Sequence, residues 1–379
     1  MPVPMLDVRR QNGALEGELR EAAARVIVSG SYILGAEVES FEAAAAAVAE
    51  AQFAVGVSSG TDALLVALMA LDIGPGDEVI CPSFTFFATA SSIARVGAKP
   101  VFADSLANSF NLDPAGLEAR ITPRTKAVIP VHLFGQPSDL RRIFEIAEKH
   151  GLRVIEDAAQ AFGAEYEGRK VGALGDCGTV SFYPSKNLGG LGEAGLLLTN
   201  DPRIADKARL LRNHGAERQY FHSMIGGNFR LDAMQAALLA VKLPHLEEYT
   251  RARQQHAARY GELLAGLADS VATPRSLPER SHIMNQYTIR VPGMRDALRR
   301  HLAERGIGSA IYYPLPLHRQ ECFARFGPQP ELPVADRLAA EVLSLPVFPE
   351  LTAAEQDEVV GAVRAFFCAQ WARTPSPPC

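Results

Sequence analysis

Long apolar runs are missing from this sequence. No stretch approaches the roughly 20 uninterrupted apolar residues that a membrane-spanning helix needs. The N-terminal residues MPVPMLDVRRQ lack the charged-then-apolar pattern of a secretory signal. We therefore expect a cytoplasmic protein without a membrane partner.

An excess of positive charge is also missing. Lys and Arg total 38 against 43 Asp and Glu, which gives a formal net charge of −5. No group of basic residues is dense enough to attract nucleic-acid phosphates. Nucleic acid is therefore not an expected partner.

Cysteine is sparse, and no two cysteines form a CxxC pair. An odd number at wide spacing argues against a disulfide framework and against a zinc site. We interpret the five as incidental thiols without a metal: Cys81, Cys177, Cys322, Cys368 and Cys379.

The composition is that of an ordinary globular protein, with 47% hydrophobic and 21% charged residues. At 379 residues the chain exceeds the usual size of one domain. The pattern predicts a large domain over residues 1–245. An interdomain helix and a smaller α+β domain follow over residues 246–379.

Strand and helix patterns alternate between residues 50 and 200, as in a mostly parallel sheet with helical crossovers. The predicted strands are Phe53–Ser59, Glu78–Pro82, Pro100–Ala103, Ala127–Val131, Arg153–Asp157, Val180–Tyr183 and Gly195–Thr199. The predicted helices are Thr61–Leu71, Phe87–Val96, Pro114–Ile121 and Leu140–His150. Seven such strands predict an α/β domain whose ligand site lies at the carboxyl ends of the strands.

The pattern changes after Asp201. Predicted helices are Ile204–Asn213, Leu231–Lys242, Leu246–Leu267, Arg295–Arg305, Ala335–Glu341 and Ala353–Cys368, and predicted strands are Gln286–Val291 and Ser309–Tyr312. The tail RTPSPPC is too proline-rich to pack, so we expect it to be loose.

Two polar residues follow the strand RVIED. The strand ends in Asp157, and Gln160 lies in the next turn. An acid at this point stands at the usual ligand crevice of a parallel sheet. The alternative is an aspartate that only caps a helix.

A lysine lies between a strand end and a glycine cluster in GTVSFYPSKNLGGLGEAG. Glycines allow other groups to approach closely, so Lys186 is well placed to act as a covalent amine rather than as a surface charge. The run from Gly190 to Gly195 also matches GxGxxG, the dinucleotide fingerprint. We reject a dinucleotide site because this run leads into an apolar strand, not a helix.

Two further strand ends carry candidate ligands. In VGVSSGTDALL a strand runs directly into a helix, and its first N–H groups with Gly60 and Thr61 could hold a phosphate or merely cap the helix. In PSFTFFATA, Phe86 is either a core residue or a stacking ring. A phosphate cup, an aromatic, an acid with a glutamine and a lysine together are the groups that pyridoxal phosphate (PLP) requires.

Seven ordered motifs resemble those of the DegT/DnrJ/EryC1/StrS family of sugar aminotransferases, PLP enzymes of fold type I. They are SYILGAEVESFE, SSGTDALLVAL, CPSFTFFATA, IEDAAQAFGA, GDCGTVSFYPSKNLGGLGEAG, GGNFRLDAMQAALLAVKL and YYPLPLH. The resemblance covers nearly the whole chain. It implies a large PLP-binding domain with a seven-stranded, mostly parallel sheet and a smaller C-terminal α+β domain.

The resemblance also implies roles for individual residues. Lys186 is the expected Schiff-base lysine and catalytic acid/base, and Asp157 is the expected partner of the pyridine nitrogen. The remaining expected cofactor ligands are Gly60, Thr61, Phe86, Gln160, Ser181 and Asn228. The expected substrate contacts are Arg230, Tyr312, Tyr313 and His318. At position 193 the family commonly has aspartate, whereas this chain has Glu193. Because this position is expected to contact the substrate, the resemblance does not identify the sugar.

Asn228 matches an asparagine that the family's dimer partner donates to the phosphate, so the resemblance implies a homodimer with composite sites. Arg230 would then reach the neighbour's site and pair with a substrate carboxylate, or it is an ordinary helix-start arginine.

The expected reaction is transfer of an amino group, with L-glutamate as donor and pyridoxamine phosphate (PMP) as the intermediate cofactor form. The acceptor is a keto-sugar of a nucleotide-linked hexose, with amination at C3 favoured over C4. Two alternatives stay open: amination of a cyclitol ketone, and a PLP-binding regulatory or sensor protein without catalysis.

Overall fold

The computed structural model describes residues 2–371. Cys379 and the tail residues 373–379, for which the sequence predicts loose chain, lie outside the described residues. The strands are β1 Phe53–Val57, β2 Glu78–Pro82, β3 Lys99–Ala103, β4 Thr125–Val128, β5 Arg153–Asp157, β6 Glu165–Tyr166, β7 Arg169–Lys170, β8 Cys177–Ser181, β9 Gly195–Thr199, β10 Ala216–Arg218, β11 Phe221–His222, β12 Tyr287–Arg290 and β13 Val342–Leu345.

The helices are α1 Val8–Ala14, α2 Glu16–Ser29, α3 Ala36–Val48, α4 Gly60–Ala70, α5 Phe87–Arg95, α6 Leu140–His150, α7 Pro202–Leu211, α8 Ala233–Lys242, α9 Leu246–Leu264, α10 Arg295–Glu304, α11 Pro333–Glu341 and α12 Ala353–Trp371. Short 3₁₀ turns lie at Pro114–Gly116, Glu118–Arg120, Leu133–Gly135, Leu243–His245, Ala265–Leu267, Leu317–Arg319 and Glu321–Phe326. Within residues 2–371, none of the helices combines the length and the apolar character that crossing a membrane would require.

Seven strands form one sheet in the order β1-β9-β8-β5-β4-β2-β3. β9 runs antiparallel to both of its neighbours, and the other ladders are parallel. The predicted mostly parallel seven-stranded sheet is therefore confirmed. Parallel strands require crossover connections, which α4, α5 and α6 supply.

The sheet is covered on both faces, as the side chains of β9 illustrate. Leu197 packs into one apolar cluster with α4 and α7, whereas Leu196 and Leu198 pack into a second cluster with α3 and α8. Successive side chains of a strand point to opposite faces, so an unbroken apolar run indicates a sheet buried on both sides.

The C-terminal part has its own apolar cluster, built on the antiparallel pair β12 and β13 with α10 and α12. Val3 joins this cluster and pairs with Ile307. The N-terminal residues thus contact the smaller α+β unit as well as the sheet domain. The domain division at residue 246 stays a prediction.

Several predicted bounds shift by one to three residues, as for β8, predicted over Val180–Tyr183 and observed over Cys177–Ser181, and three predicted elements change more than that. The helix expected over Pro114–Ile121 is two separate 3₁₀ turns, where the Arg120 side chain donates to Gly116 O at 2.9 Å. The strand expected over Ala127–Val131 ends at Val128, because Pro130 has no N–H for the ladder. The strand expected over Ser309–Tyr312 is a single bridge from Ala310 to Ser344.

Candidate active site

A cavity of about 530 Å³ opens at the carboxyl edge of the sheet, where the loop 312–313 covers the strand ends. Most of the expected site residues line it together: Gly60, Thr61, Phe86, Asp157, Gln160, Ser181, Lys186, Tyr312 and Tyr313. Further lining residues include Ser59, Thr85, Tyr183, Ser185, Glu193 and Gln286. The topology thus brings the ends of β1, β2, β5 and β8 to one place.

Lys186 follows β8 in a tight turn in which its backbone N–H donates to Tyr183 O at 2.9 Å. The next residue anchors the turn, since Asn187 Nδ2 donates to Ile283 O and Asn187 Oδ1 accepts from Asn285 Nδ2, both at 2.9 Å. Burial lowers the pKa of Lys186 to about 8, although the nearby Asp157 carboxylate favours its charged form. A larger share of this amine is therefore unprotonated at neutral pH than for an ordinary lysine.

Asp157 ends β5, the strand beside β8, and is 5% exposed. Its Oδ2 accepts from Thr89 Oγ1 at 2.8 Å and its Oδ1 accepts from Ala159 N at 3.2 Å. Burial raises the pKa of Asp157, while these hydrogen bonds and the charge of Lys186 lower it. The hydrogen bonds stabilise a carboxylate in a site where burial alone would favour the acid.

The side-chain amide of Gln160 has a defined orientation. Its Oε1 accepts from Phe134 N at 2.6 Å, so its Nε2 must point the other way, where it donates to Tyr313 Oη at 3.2 Å. Phe134 has a left-handed φ of 57°, and the following Gly135 has a φ of 97°. Because Phe134 N occupies the oxygen of the amide, the NH₂ group of Gln160 is the donor that faces the cavity.

The N-terminus of α4 forms one wall. Ser59 is its N-cap and accepts from Asp62 N, while the hydroxyls of Ser58 and Ser59 both donate to Asp62 Oδ2. A Cβ on Gly60 would lie 2.7 Å from Ser181 Cβ, so only glycine lets the helix start touch the end of β8. First-turn N–H groups have no intrahelical acceptor, so this wall suits an anion.

Aromatic rings form the facing wall. Phe86 is 56% exposed, in contrast to the neighbouring Phe84, which is 1% exposed and belongs to the core. The Phe86 and Tyr313 ring centroids are 6.1 Å apart. Of the two readings of Phe86, the exposed ring at the cavity fits its position better than a core role.

Three expected site residues lie elsewhere in this chain. Asn228 is exposed outside the cavity, and Arg230 Nη1 donates to Asn213 Oδ1 at 2.8 Å. His318 is 3% exposed, and its Nδ1 lies 2.6 Å from Ser83 Oγ behind the cavity wall. The single chain therefore does not bring these three together with Lys186.

Two cavity neighbours were missed from the sequence. The sequence pattern showed Thr89 only as a residue of the predicted helix α5. Its spacing of three residues from Phe86 could have indicated that both side chains lie on the same helix face. Gln286 directly precedes β12, about 100 residues from Lys186 along the chain, and no local pattern singles it out.

The amino-acid sequence matches the model of the DegT/DnrJ/EryC1/StrS aminotransferase family over residues 14–364. The chain belongs to this family. Its motifs, its α/β fold and its lysine-bearing cavity therefore have one common explanation, and the recognition made from the sequence is confirmed.

Relatives within the family carry different names. The chain is 50% identical to a pleiotropic regulatory protein of Geobacillus stearothermophilus, over 97% of this chain and 99% of the relative. It is 46% identical to a UDP-N-acetyl-3-dehydro-alpha-D-glucosamine 3-aminotransferase of Acidithiobacillus ferrooxidans, over 96% and 97%. It is 45% identical to a dTDP-3-amino-3,4,6-trideoxy-alpha-D-glucose transaminase of Streptomyces venezuelae, over 96% and 95%.

Solved structures of the family share the fold. DesV of S. venezuelae, in complex with a ketimine intermediate, superimposes with a TM-score of 0.94 at 44% identity, over 99% of this chain and 100% of that chain. NtdA of Bacillus subtilis, with bound cofactor PMP, gives 0.90 at 31% identity, over 96% and 85%. The predicted fold class is confirmed.

Proposed function

We propose that this aminotransferase uses PLP to transfer an amino group to the C3 keto group of a nucleotide-linked hexose in amino-sugar biosynthesis. The observation that carries the proposal is that a buried carboxylate, Asp157, and an amine of lowered pKa, Lys186, line one cavity on adjacent strands. Two of the relatives named above are 3-amino-sugar or 3-aminotransferase enzymes, which favours C3 over C4.

The cavity residues fit PLP. The N-terminus of α4 with Thr61 and Ser181 would hold the phosphate, and Asp157 would face the pyridine nitrogen. The oriented NH₂ group of Gln160 would donate to the ring hydroxyl, and Phe86 would cover the ring. When bound, PLP supplies an electron sink for the carbon that loses its proton.

Lys186 has the acid/base properties that the reaction requires. A group with a pKa of about 8 exchanges protons readily near neutral pH, so the amine of Lys186 can accept a proton from a substrate carbon and return it elsewhere. Beside it, burial raises the pKa of Asp157, and the hydrogen bonds from Thr89 and Ala159 N oppose that rise by stabilising the carboxylate. The turn anchored by Asn187 restricts where the amine can move.

Substrate binding falls to the outer wall of the cavity. Tyr312, Tyr313, Gln286 and Glu193 supply hydroxyl, amide and carboxylate groups that match the hydroxyls of a sugar. We propose L-glutamate as the donor, with its carboxylate bound by Arg230 of a second subunit.

A homodimer with composite sites follows from the same reasoning. Asn228 is exposed in the single chain and has no role in its own cavity. Apolar side chains are exposed on and after α2, and within and just beyond the β10–β11 hairpin: Ile27, Val28, Ile33, Tyr220, Phe221 and Ile225. Such side chains support a buried contact between two copies.

The experiment is an absorbance spectrum of purified protein with PLP, before and after L-glutamate, beside Lys186→Ala. We expect a visible band of lysine-bound PLP that glutamate converts to the shorter-wavelength PMP spectrum and that Lys186→Ala lacks. Incubating the PMP form with UDP- and dTDP-linked 3-keto and 4-keto hexoses, and with a cyclitol ketone, then identifies the acceptor.

A regulatory protein without catalysis is the second candidate, because one relative is named as a pleiotropic regulatory protein. A band that forms but does not respond to any amino donor would favour the regulatory function. The absence of a lysine-dependent band would refute PLP catalysis.

A further inference from the structure

A buried serine joins the end of a sheet strand to the loop that covers the cavity. Ser83 directly follows β2 and is fully buried. Its Oγ lies 2.6 Å from His318 Nδ1 and accepts from His318 N at 3.1 Å, and its carbonyl oxygen accepts from Leu317 N at 2.8 Å. One residue thus makes three hydrogen bonds to a segment 235 positions away.

The hydrogen-bond directions define the state of the histidine. Nε2 faces the Asp336 carboxylate, which favours a proton on that nitrogen, so in the neutral ring Nδ1 accepts the hydroxyl proton of Ser83. Burial lowers the pKa of His318, which favours this neutral form. Nε2 faces Asp336 Oδ1 at 3.4 Å, and the charged groups around the ring are Asp336, Arg319, Asp104 and Glu331.

The serine-histidine pair resembles a nucleophile beside its base. A nucleophile must be reached by its substrate, however, and Ser83 has no exposed surface. Neither residue lines the cavity. The pair therefore has a mechanical rather than a chemical role.

Both residues lie close along the chain to an aromatic wall of the cavity. Phe86 comes three residues after Ser83, and Tyr313 comes five residues before His318. The Tyr313 ring lies 6.1 Å from Phe86 and 6.2 Å from Phe84, and its hydroxyl accepts from Gln160 at 3.2 Å. The hydrogen bonds between Ser83 and His318 thus limit the separation of the Phe86 and Tyr313 rings within this wall.

A second connection runs parallel to the first. Asp104, just past the end of β3, accepts from the first-turn amides Val334 N at 3.1 Å and Ala335 N at 2.8 Å. A carboxylate at a helix N-terminus is a favourable contact. The segment 317–335 is therefore held at both ends against neighbouring strands of the sheet.

We propose that Ser83 and His318 are positioning residues that hold the Tyr312–Tyr313 loop against the cofactor site. The cavity thereby keeps the width that its substrate requires. This role rests on the proposed function for its catalytic consequence. Its structural part, the attachment of residues 317–318, does not depend on it.

The test compares variants of equal size in the full-length protein. His318→Asn keeps an oxygen acceptor at the position of Nδ1 and should retain the contact, whereas His318→Leu removes it. Ser83→Ala removes the hydroxyl but keeps the backbone contact to Leu317. Glu321→Gln, at an exposed position of the same segment, is the control that leaves Ser83 and His318 untouched.

Two readouts are measured: hydrogen exchange of the 312–318 amides, and KM against kcat with the keto-sugar. For His318→Leu and Ser83→Ala we expect exchange of the amide at position 318 to be faster by about tenfold or more. KM should rise by about tenfold with kcat changed less than about threefold, because Tyr313 moves while Lys186 and Asp157 stay in place. His318→Asn and Glu321→Gln should stay near wild type, and PLP occupancy should be unchanged throughout.

Unchanged exchange in His318→Leu and Ser83→Ala would overturn the proposal. A higher KM with unchanged exchange would also overturn it, because His318 would then act by direct contact with the substrate. If the wild-type protein fails to transaminate, the proposed function fails, while the exchange data still decide whether the attachment exists.

Discussion

Thr89→Val is the most informative single change at the cofactor site. It replaces a hydroxyl by a methyl group of the same shape. The change removes the hydrogen bond from Thr89 Oγ1 to Asp157 Oδ2 at 2.8 Å and a longer one to Thr85 Oγ1 at 3.4 Å. Thr89 is fully buried, so no water can replace the lost donor at the surface. The variant thus tests whether Asp157 must be held as an oriented carboxylate.

The structure sets the magnitude. A hydrogen bond to a charged group contributes about 1.5–3 kcal/mol. The part of it that is gained only with PLP bound raises the PLP dissociation constant, with an upper limit of roughly 10- to 150-fold. Thr89→Ser keeps the donor and should bind within about threefold of wild type. Equilibrium dialysis or fluorescence titration of the apoprotein measures both.

The same change has a defined pH dependence without cofactor. Burial raises the pKa of Asp157 above its unfolded value, so its ionisation destabilises the folded protein as pH rises through the folded pKa. Thr89 counteracts this by lowering that pKa. Thr89→Val should therefore lose about 1.5–3 kcal/mol of unfolding free energy above the folded pKa, where the carboxyl is ionised, and only about 1 kcal/mol below it, where the carboxyl is protonated. Urea unfolding of the apoprotein at one pH value on each side of that pKa checks this.

Two results would refute this reasoning. PLP binding by Thr89→Val within twofold of wild type would mean that the hydroxyl does not orient Asp157. An equal loss of stability at both pH values would mean that the valine disturbs packing rather than the carboxylate.

Three further predictions concern Lys186, the edge of the sheet and the dimer. The rate of PLP capture by the apoprotein should increase with pH to a midpoint near pH 8, because burial lowers the pKa of Lys186 to about 8. Asp157→Asn should move this midpoint to a lower pH, because it removes the negative charge that favours the protonated amine. Stopped-flow absorbance measures the midpoint, and a value near that of an ordinary lysine would contradict the burial argument. Glu42→Ala should lower the free energy of unfolding in urea by about 3–5 kcal/mol, because it leaves the buried Arg212 guanidinium next to Gly56 without its carboxylate. The control Arg20→Ala, which removes an ion pair on the surface of α2, should lower it by under about 1 kcal/mol. Mixing inactive Lys186→Ala with inactive Asn228→Ala subunits should restore about a quarter of wild-type activity. Half of the dimers are then mixed, and each mixed dimer has one intact composite site. No recovery after verified subunit exchange would argue against sites shared between subunits.

Much of the central sheet was predictable because its signals are local. β2, β5 and β9 have the predicted bounds, since each is a short apolar run between turn residues. Asp157 was found because it ends such a strand, and Lys186 because it comes shortly after β8; parallel strands bring their carboxyl ends to one edge. Site residues that lie at the end of a strand can therefore be predicted from the sequence.

Contacts between distant segments were decided only by the tertiary structure. β13 pairs with β12 across more than 50 residues, and the predicted strand at Ser309–Tyr312 is reduced to one bridge beside it. His318 matched a substrate motif, yet its side chain binds Ser83 behind the wall, and Thr89 reaches Asp157 from a helix with no polar motif of its own. The periodicity of a sequence determines which face of an element is apolar, but it carries no information on which distant polar group a buried side chain will meet.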